Sequence, residues 1–364
     1  MKICIQDPSW VDSVYLLEEI LTACEGASHG AGVFAFASAG GVRLLLQDAT
    51  FARFLSRAPC EMIIGVDAIT DNVALDALAT CVAAHPRLKV RVFIGKTAAT
   101  LFHAKMCWFR HRKRGVCLVG SGNLTAGGLR GNCEAFSVAQ LDSTQQMALE
   151  HTWSSWMDFH VRDLLPVDHP SVRARASLNS GAEHGSGNKR HEVIREDRIG
   201  NISVGAAKTA GAAVLLAEIP RSGDRWNQAN FDLQTFRDFF GAKPGHTQRI
   251  ILTHVSHNGD VGPQEVRPSV AVSSHNYRFE LDAAAGLAYP SSGRPITVFV
   301  RVATRTFRYR LLMPGTPEHK LASEYLRSHS SSAANHVRRL ITNVKALSRA
   351  KFFVGLADLA NEQV

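Results

Sequence analysis

Two short stretches hold residue types that chemistry needs close together. FHAKMCWF runs over 102–109, and LVGSGNLTAGGLRGNCEAF over 118–136. Alternate residues of a strand share a face. A strand over Phe102–Phe109 therefore sends His103 and Lys105 one way, and Phe102, Ala104, Met106 and Trp108 the other. A second strand, Val116–Gly120, leads into a Gly-rich turn with Ser121 and Asn123. A short helix is expected from about Thr125, with free N–H groups that favour an anion. Asn132 and Glu134 follow it. These groups would make a phosphate pocket with a nucleophile. Lys105 supplies positive charge, Asn123 an amide donor, and Ser121 a hydroxyl or backbone donor. His103 attacks as a neutral imidazole. Glu134 holds its tautomer and favours its charged form. No cluster of carboxylates is left to hold Mg²⁺, so the chemistry is expected to need no metal.

The tripeptide H-x-K alone says little, because His111-Arg-Lys113 repeats it. That copy sits in the basic run Arg110–Arg114. It reads as an exposed hairpin turn, a solvated charge cluster that could also touch a phosphate backbone. The joint pattern of H-x-K, G-S-x-N and N-x-E on strand, turn and strand is far more specific.

The elements around these motifs alternate. Strands are expected at Ile3–Ile5, Val33–Ala37, Met62–Val66 and Val90–Ile94, with helices at Val11–Cys24, Gly41–Leu55 and Asn72–Ala84. Strands at Phe102–Phe109, Gly115–Gly120 and Ala135–Leu141 follow, and a helix over about Gln145–His160. Strands apolar on both faces, alternating with helices, indicate an α/β sheet covered by helices. Residues 166–205 lose apolar periodicity and turn rich in Ser, Gly, Asn and charge, which reads as a linker. Beyond it the chain is β-rich, with short strands at Ala213–Ile219, Gln248–Thr253, Val270–Ser273, Tyr277–Leu281, Ile296–Val302 and Phe307–Leu312. A barrel or sandwich is expected there, with a helix near Leu233–Phe240. A last amphipathic helix would use Val337, Leu340, Ile341, Val344 and Leu347.

Length and charge agree with two domains. The chain has 364 residues and a net charge of +9. Residues 1–165 hold 15 basic and 15 acidic side chains; the remaining 26 basic and 17 acidic residues place the whole excess of +9 in the second half. Such an excess fits a polyanion-binding surface; the other reading is a basic solvated surface with no partner. All seven cysteines lie in the first 133 residues, none spaced C-x-x-C, which indicates reduced thiols in a cytoplasmic protein rather than disulfides or zinc. No uncharged apolar run is long enough to span a membrane, and MKICIQDPSW lacks the apolar core of a signal peptide.

In the second half, the loop 218–231 carries Arg221, Arg225, Trp226, Asn227 and Gln228. Arg and Asn/Gln are the side chains that read guanine and adenine edges. Asn276, Tyr277 and Arg278 add an amide, a ring and a cation near a strand end. The alternative is a polar loop capped by its own amides, with Trp226 as a core anchor.

The first-half motifs resemble the signature of the phospholipase D superfamily, H-x-K-x4-D followed by G-S-x-N. They are most similar to its nuclease branch, in which Gly-Gly-Leu and N-x-E follow. The resemblance covers about residues 1–160. Arg110 stands where the family often has Asp, which argues against a lipase and moves the supporting role to Glu134. The resemblance implies a phosphohistidine on one His and acid–base work by a second. With one good motif per chain, it implies a homodimer sharing one composite site. Residues 210–315 resemble the B3-like DNA-binding domain of phospholipase-D-type restriction endonucleases, an open pseudobarrel whose arms enter the major groove. The matching pieces are IPRSGDRWNQANF and the FFG after it, HNYRFEL and YPSSGRPITVFVR. Arg221–Gln228 falls at the first arm; the second lies at Ser256–Gly259 or Ser274–Arg278. The domains expected are a nuclease domain over 1–165, the linker, a B3-like domain over 206–320 and a helical extension over 321–364. The function implied is metal-independent, sequence-specific cutting of double-stranded DNA, with no cofactor and a cognate DNA methyltransferase as a partner of the system. The competing readings are a phospholipase D-type phosphatidyltransferase, a non-specific nuclease and a DNA-binding protein.

Overall fold

The computed structural model describes residues 1–10, 12–95, 101–179, 212–221, 226–243, 247–269, 277–330 and 337–349. They fall into two compact units. The first comprises Met1–Pro8 and Ser13–Ile199, the second Ser9–Asp12 and Gly200–Val364.

The first unit runs β1 (Lys2–Gln6), α1 (Leu16–Cys24), β2 (His29–Phe34), α2 (Ala39–Leu46), α3 (Ala49–Leu55), β3 (Cys60–Gly65), α4 (Asn72–Ala84) and β4 (Leu88–Phe93). It continues with β5 (Lys105–Arg110), β6 (Gly115–Gly120), a π-helical turn Gly127–Gly131, β7 (Glu134–Leu141), α5 (Ser143–Phe159), β8 (Leu164–Pro166) and α6 (Pro170–Ser177). Eight strands form one mixed sheet in the order β1-β7-β6-β5-β2-β3-β4-β8. β2, β3 and β4 are parallel to one another; every other pairing is antiparallel.

The parallel strands are apolar on both faces, so both must be covered. On one face Ile20 of α1, Leu45 of α2 and Phe51 of α3 close against Met62, Cys107 and Phe109. On the other, Trp153 and Met157 of α5 pack with Val33, Ile63, Trp108 and Cys117. The helices start where short polar side chains accept their first free N–H groups: Ser38, Asp48, Asp71 and Asp142 cap α2, α3, α4 and α5. Asp48 explains why the single helix expected over Gly41–Leu55 is two. It accepts from Thr50 N at 2.8 Å and starts a new helix.

The linker expected over 166–205 begins later. β8 pairs with β4, and α6 packs on α4, where Arg173 meets Asp76 at 2.6 Å. Polar composition concealed a helix held by ion pairs rather than by an apolar stripe.

The second unit contains β9 (Ala213–Glu218), β10 (Gln228–Phe231), α7 (Leu233–Asp238), β11 (Arg249–Val255), β12 (Val261–Pro268), β13 (Tyr277–Glu280), β14 (Ile296–Ala303), β15 (Thr306–Leu312), α8 (Pro317–His329), β16 (Arg339–Asn343) and α9 (Val344–Arg349). Six strands pair in the order β12-β11-β15-β14-β9-β16, and β10 and β13 form a separate ribbon. Among the described residues no closed barrel forms. One face carries an aromatic core of Phe231, Phe236, Phe239, Phe240, Phe279, Phe299 and Phe307. The other packs Val214, Leu216, Val298 and Val300 against Ala322 and Leu326 of α8 and Leu347 of α9.

The last amphipathic helix expected from Val337 is corrected here. Leu340 and Ile341 pair with Leu216 and Leu215 as strand β16, and only Val344–Arg349 is helical. A short apolar run fits either period, and pairing with the edge of β9 decides it. Strand Val270–Ser273 lies outside the described residues.

Candidate active site

One end of the first sheet gathers the motif residues. β1, β2, β3 and β6 finish there, while β5 and β7 begin there: Phe34 pairs with Lys105, Gly120 with Phe136 and Gln6 with Glu134. Side chains at strand termini sit on a rigid frame yet face solvent.

His103 lies two residues before β5, not within it. It is exposed, and its ring meets Phe36 edge-on at a centroid distance of 5.8 Å. Its pKa is lowered, first by the desolvation of its local environment and then by the Lys105 ammonium. Both favour the neutral ring, the form with a lone pair to give. Lys105, half-buried, donates from Nζ to the His103 carbonyl at 2.9 Å. Its own pKa is lowered by desolvation, against the opposing pull of Glu134.

Asn123 is oriented by the backbone. Phe36 N–H donates to its Oδ1 at 3.2 Å, which turns its Nδ2 away, and no described residue accepts from that amide. Phe36 therefore orients both groups, the amide through its N–H and the imidazole through its ring. The glycines make room for this turn. A Cβ on Gly122 would lie 2.6 Å from Gly128 O, and one on Gly128 would collide with the backbone of Asn123.

Ser121 and Glu134 are placed differently from expectation. Ser121 exchanges hydrogen bonds with Ala135, its N–H donating to Ala135 O at 3.0 Å and its Oγ accepting from Ala135 N at 3.0 Å. The hydroxyl proton goes to Glu134. Ser121 thus fastens β6 to β7 rather than presenting a free donor. Glu134 also accepts from Asn132 Nδ2 at 3.4 Å. It makes no hydrogen bond to His103, because β6 stands between β5 and β7 in the sheet. Its influence within this chain is on Lys105. The helix expected from Thr125 is only a five-residue π-helical turn. It is too short for an anion site of its own.

Gln6 was missed by reading the sequence. It is fully buried; Nε2 donates to Asn132 O at 3.0 Å and Gly128 O at 3.3 Å, while Oε1 accepts from Leu16 N at 2.9 Å. One amide ties β1, α1, the π-turn and the approach to Glu134. A single Gln in a short strand gives no local signal of this; only the β1–β7 register does.

The second H-x-K is elsewhere. His111 lies in the β5–β6 hairpin, at the opposite end of the strands, with Nε2 3.0 Å from Ala23 O. His184 lies outside the described residues. Among the described residues no group of three or more His, Cys, Asp or Glu side chains is arranged to hold a metal ion.

In the second unit the candidates divide. Trp226 is buried, donates Nε1–H to Leu287 O at 2.6 Å and meets Tyr289 edge-on. Tyr277 is buried against Phe236. Neither can offer a ring to a base, which corrects their place among DNA contacts; alternation sends both into the core. Gln228, Asn230, Arg278 and Glu280 share the opposite face of the β10–β13 ribbon, with Arg278 exposed. Gln228 Nε2 donates to Glu280 at 3.2 Å. Arg221 is exposed and Asn227 half-buried. Arg225 and Asn276 lie outside the described residues.

No protein-family model matches this chain, and no curated protein does. Solved structures do resemble it. NucT from Helicobacter pylori is 12% identical with a TM-score of 0.30, over 45% of this chain and 98% of that one. Nuc from Salmonella typhimurium, a phospholipase D family member, is 14% identical with a TM-score of 0.31, over 43% and 92%. The N-terminal domain of Helicobacter pylori LlaJI.R1 is 8% identical with a TM-score of 0.27, over 36% and 97%. At such scores the function rests on the chemistry of the site itself.

Proposed function

We propose that this chain is a phosphodiesterase of the phospholipase D superfamily that cuts double-stranded DNA at a specific sequence without a metal. The observation that carries this is the meeting, at one sheet end, of a neutral exposed imidazole, an ammonium and an outward-turned amide. That is the set a phosphoryl transfer needs: a nucleophile plus donors aimed at the developing charge. A ring nitrogen of His103 attacks phosphorus. The P–O bond to the leaving oxygen breaks, and that oxygen keeps the pair and takes a proton from an acid on the far side. Water, deprotonated by the same group, then attacks phosphorus, and the P–N bond breaks to return the lone pair to His103. Lys105 and Asn123 hold the non-bridging oxygens throughout.

The far-side acid is His103 of a second copy, so the working unit is a homodimer. The second unit, read as a B3-like domain, supplies recognition. Arg221, Asn227, Gln228 and Arg278 are its base-reading candidates, with Arg225 and Asn276 in the adjoining loops. A cutter of this kind needs a DNA methyltransferase to protect its own sites. The free cysteines, six of them buried, fit a cytoplasmic protein. No helix among the described residues is long and apolar enough to cross a membrane.

The test is plasmid cleavage in excess EDTA followed by sequencing of the ends. Cutting at one recurrent sequence is expected. A strict Mg²⁺ requirement would sink the mechanism, and random ends would leave a non-specific nuclease. Arg278→Ala is expected to relax discrimination at one base pair by roughly 1–3 kcal/mol.

A further inference from the structure

The first sheet leaves an apolar strip uncovered beside the site. Ile3, Ile5 and Val119 are 74%, 61% and 48% exposed. Register puts them on one face, because Ile3 pairs with Ser137, Ile5 with Ala135 and Val119 with both Ser137 and Met106. Residues directly opposite in neighbouring strands point the same way. This is the face that α5 covers further along, over Trp108, Val33 and Ile63. Over β1, β7 and the last residues of β6 it is bare. The strip reaches the motif itself: Ser121 lies two residues past Val119, and Glu134 just before Ala135.

The strip carries no charge. Lys2 points to the other face and is paired with Glu19 at 2.7 Å. A DNA backbone finds no cation here. A two-fold contact, by contrast, sets each residue near its own copy, and a neutral apolar strip is self-complementary in a way that a charged one is not. Soluble chains seldom leave an apolar patch of more than a few hundred Å² bare without a use.

The site also lacks a group. Displacement at phosphorus needs an acid opposite the nucleophile. His160, near the same end of the sheet, sits 3.0 Å from Asp163 and packs against Phe93, Trp156 and Phe159. His111 is at the wrong end.

We infer that the strip formed by Ile3, Ile5, Val119, Ala135 and Ser137 is the docking face for a second copy of this chain. The two sheet ends then meet, and each His103 faces the other across one phosphate. A stable pair buries about 800 Å² per partner, so the strip forms the apolar centre of a wider contact. This rests on the phosphodiesterase reading, which needs the second imidazole, but its test needs no substrate.

Sedimentation velocity of the full chain is expected to show a dimer at micromolar concentration. Ile5→Glu and Val119→Glu should each weaken it by at least about 30-fold, the scale of a hot-spot loss. Val161→Glu, at an exposed apolar residue elsewhere, should leave it intact. Circular dichroism monitors the fold, and Ile5→Ser, which adds no charge, replaces Ile5→Glu if that variant unfolds. A monomeric wild type, or a dimer indifferent to all strip variants, overturns the inference. A dimer broken by Ile5→Glu in a protein that leaves DNA uncut keeps the face and sinks the phosphodiesterase reading. Cleavage by a dimer indifferent to Ile5→Glu does the reverse.

Discussion

The chain holds the tripeptide H-x-K twice, at the two ends of one β5–β6 hairpin. The first copy, His103 and Lys105, stands where six strands begin or end. Phe36 backs its imidazole, and Asn123 turns an amide outward beside it. The second, His111 and Lys113, stands where only β5 and β6 turn. Its imidazole meets a backbone carbonyl, and the neighbouring Arg110 pairs with Glu150 at 3.3 Å. Composition is the same, and the strand length of roughly 20 Å separates them. The difference is what neighbouring strands bring. A catalytic set forms where several chain segments terminate together, because only there do side chains from distant residues converge on open solvent.

This contrast can be broken directly. His103→Ala is expected to lower cleavage by at least about 10⁴-fold, as loss of a nucleophile does, while His111→Ala should leave it within about twofold. Equal losses in a gel assay would mean that the two copies act together, and the contrast would be wrong. Next in size, Asn123→Ala and Lys105→Ala should each cost about 10²–10³-fold in kcat, since each removes a donor to the developing charge. A change confined to KM would reduce them to binding groups.

A smaller effect tests how the turn is held. Gly128→Ala forces a methyl group onto the backbone of Asn123. It should cost about 1–3 kcal/mol in thermal unfolding, the usual range for overpacking, and slow cleavage. Normal stability and rate would show that the turn yields freely. The smallest effect is electrostatic. Burial and the Lys105 charge both lower the His103 pKa. The ring therefore gives up its proton at lower pH than a free histidine, and stays neutral above that range. Lys105→Met removes the repulsion only, so the His103 midpoint in an NMR titration should move up. A midpoint that stayed or fell would mean that the ammonium does not sense the imidazole.

Much of the site was legible because its residues are local: H-x-K, G-S-x-N and N-x-E lie within 32 residues, between His103 and Glu134. What was not legible depends on register. Nothing near Gln6 announces that it pairs with Glu134, and nothing near Glu134 shows that a strand separates it from His103. The α/β alternation of the first unit was readable because buried strands are continuously apolar. β12, with the polar sequence VGPQEVRP, and the four-residue β10 were not, since each earns its place through pairing rather than propensity. Trp226 carried two readings, and burial under Leu287 and Tyr289 selects the structural one.

The pairing of β1 with β7 also sets an order in time. During synthesis Gln6 leaves the ribosome 128 residues before Glu134, a wait of roughly 10 s at ordinary elongation rates. Until then β1 has no neighbour, and the Gln6 amide cannot reach the carbonyls of Gly128 and Asn132. The parallel core of β2, β3 and β4 can assemble earlier, from residues already made. Closure by the first strand is thus a late event, and the turn that orients Asn123 is fixed only after it. A nascent chain therefore carries no working cutter until the last part of this sheet has been made.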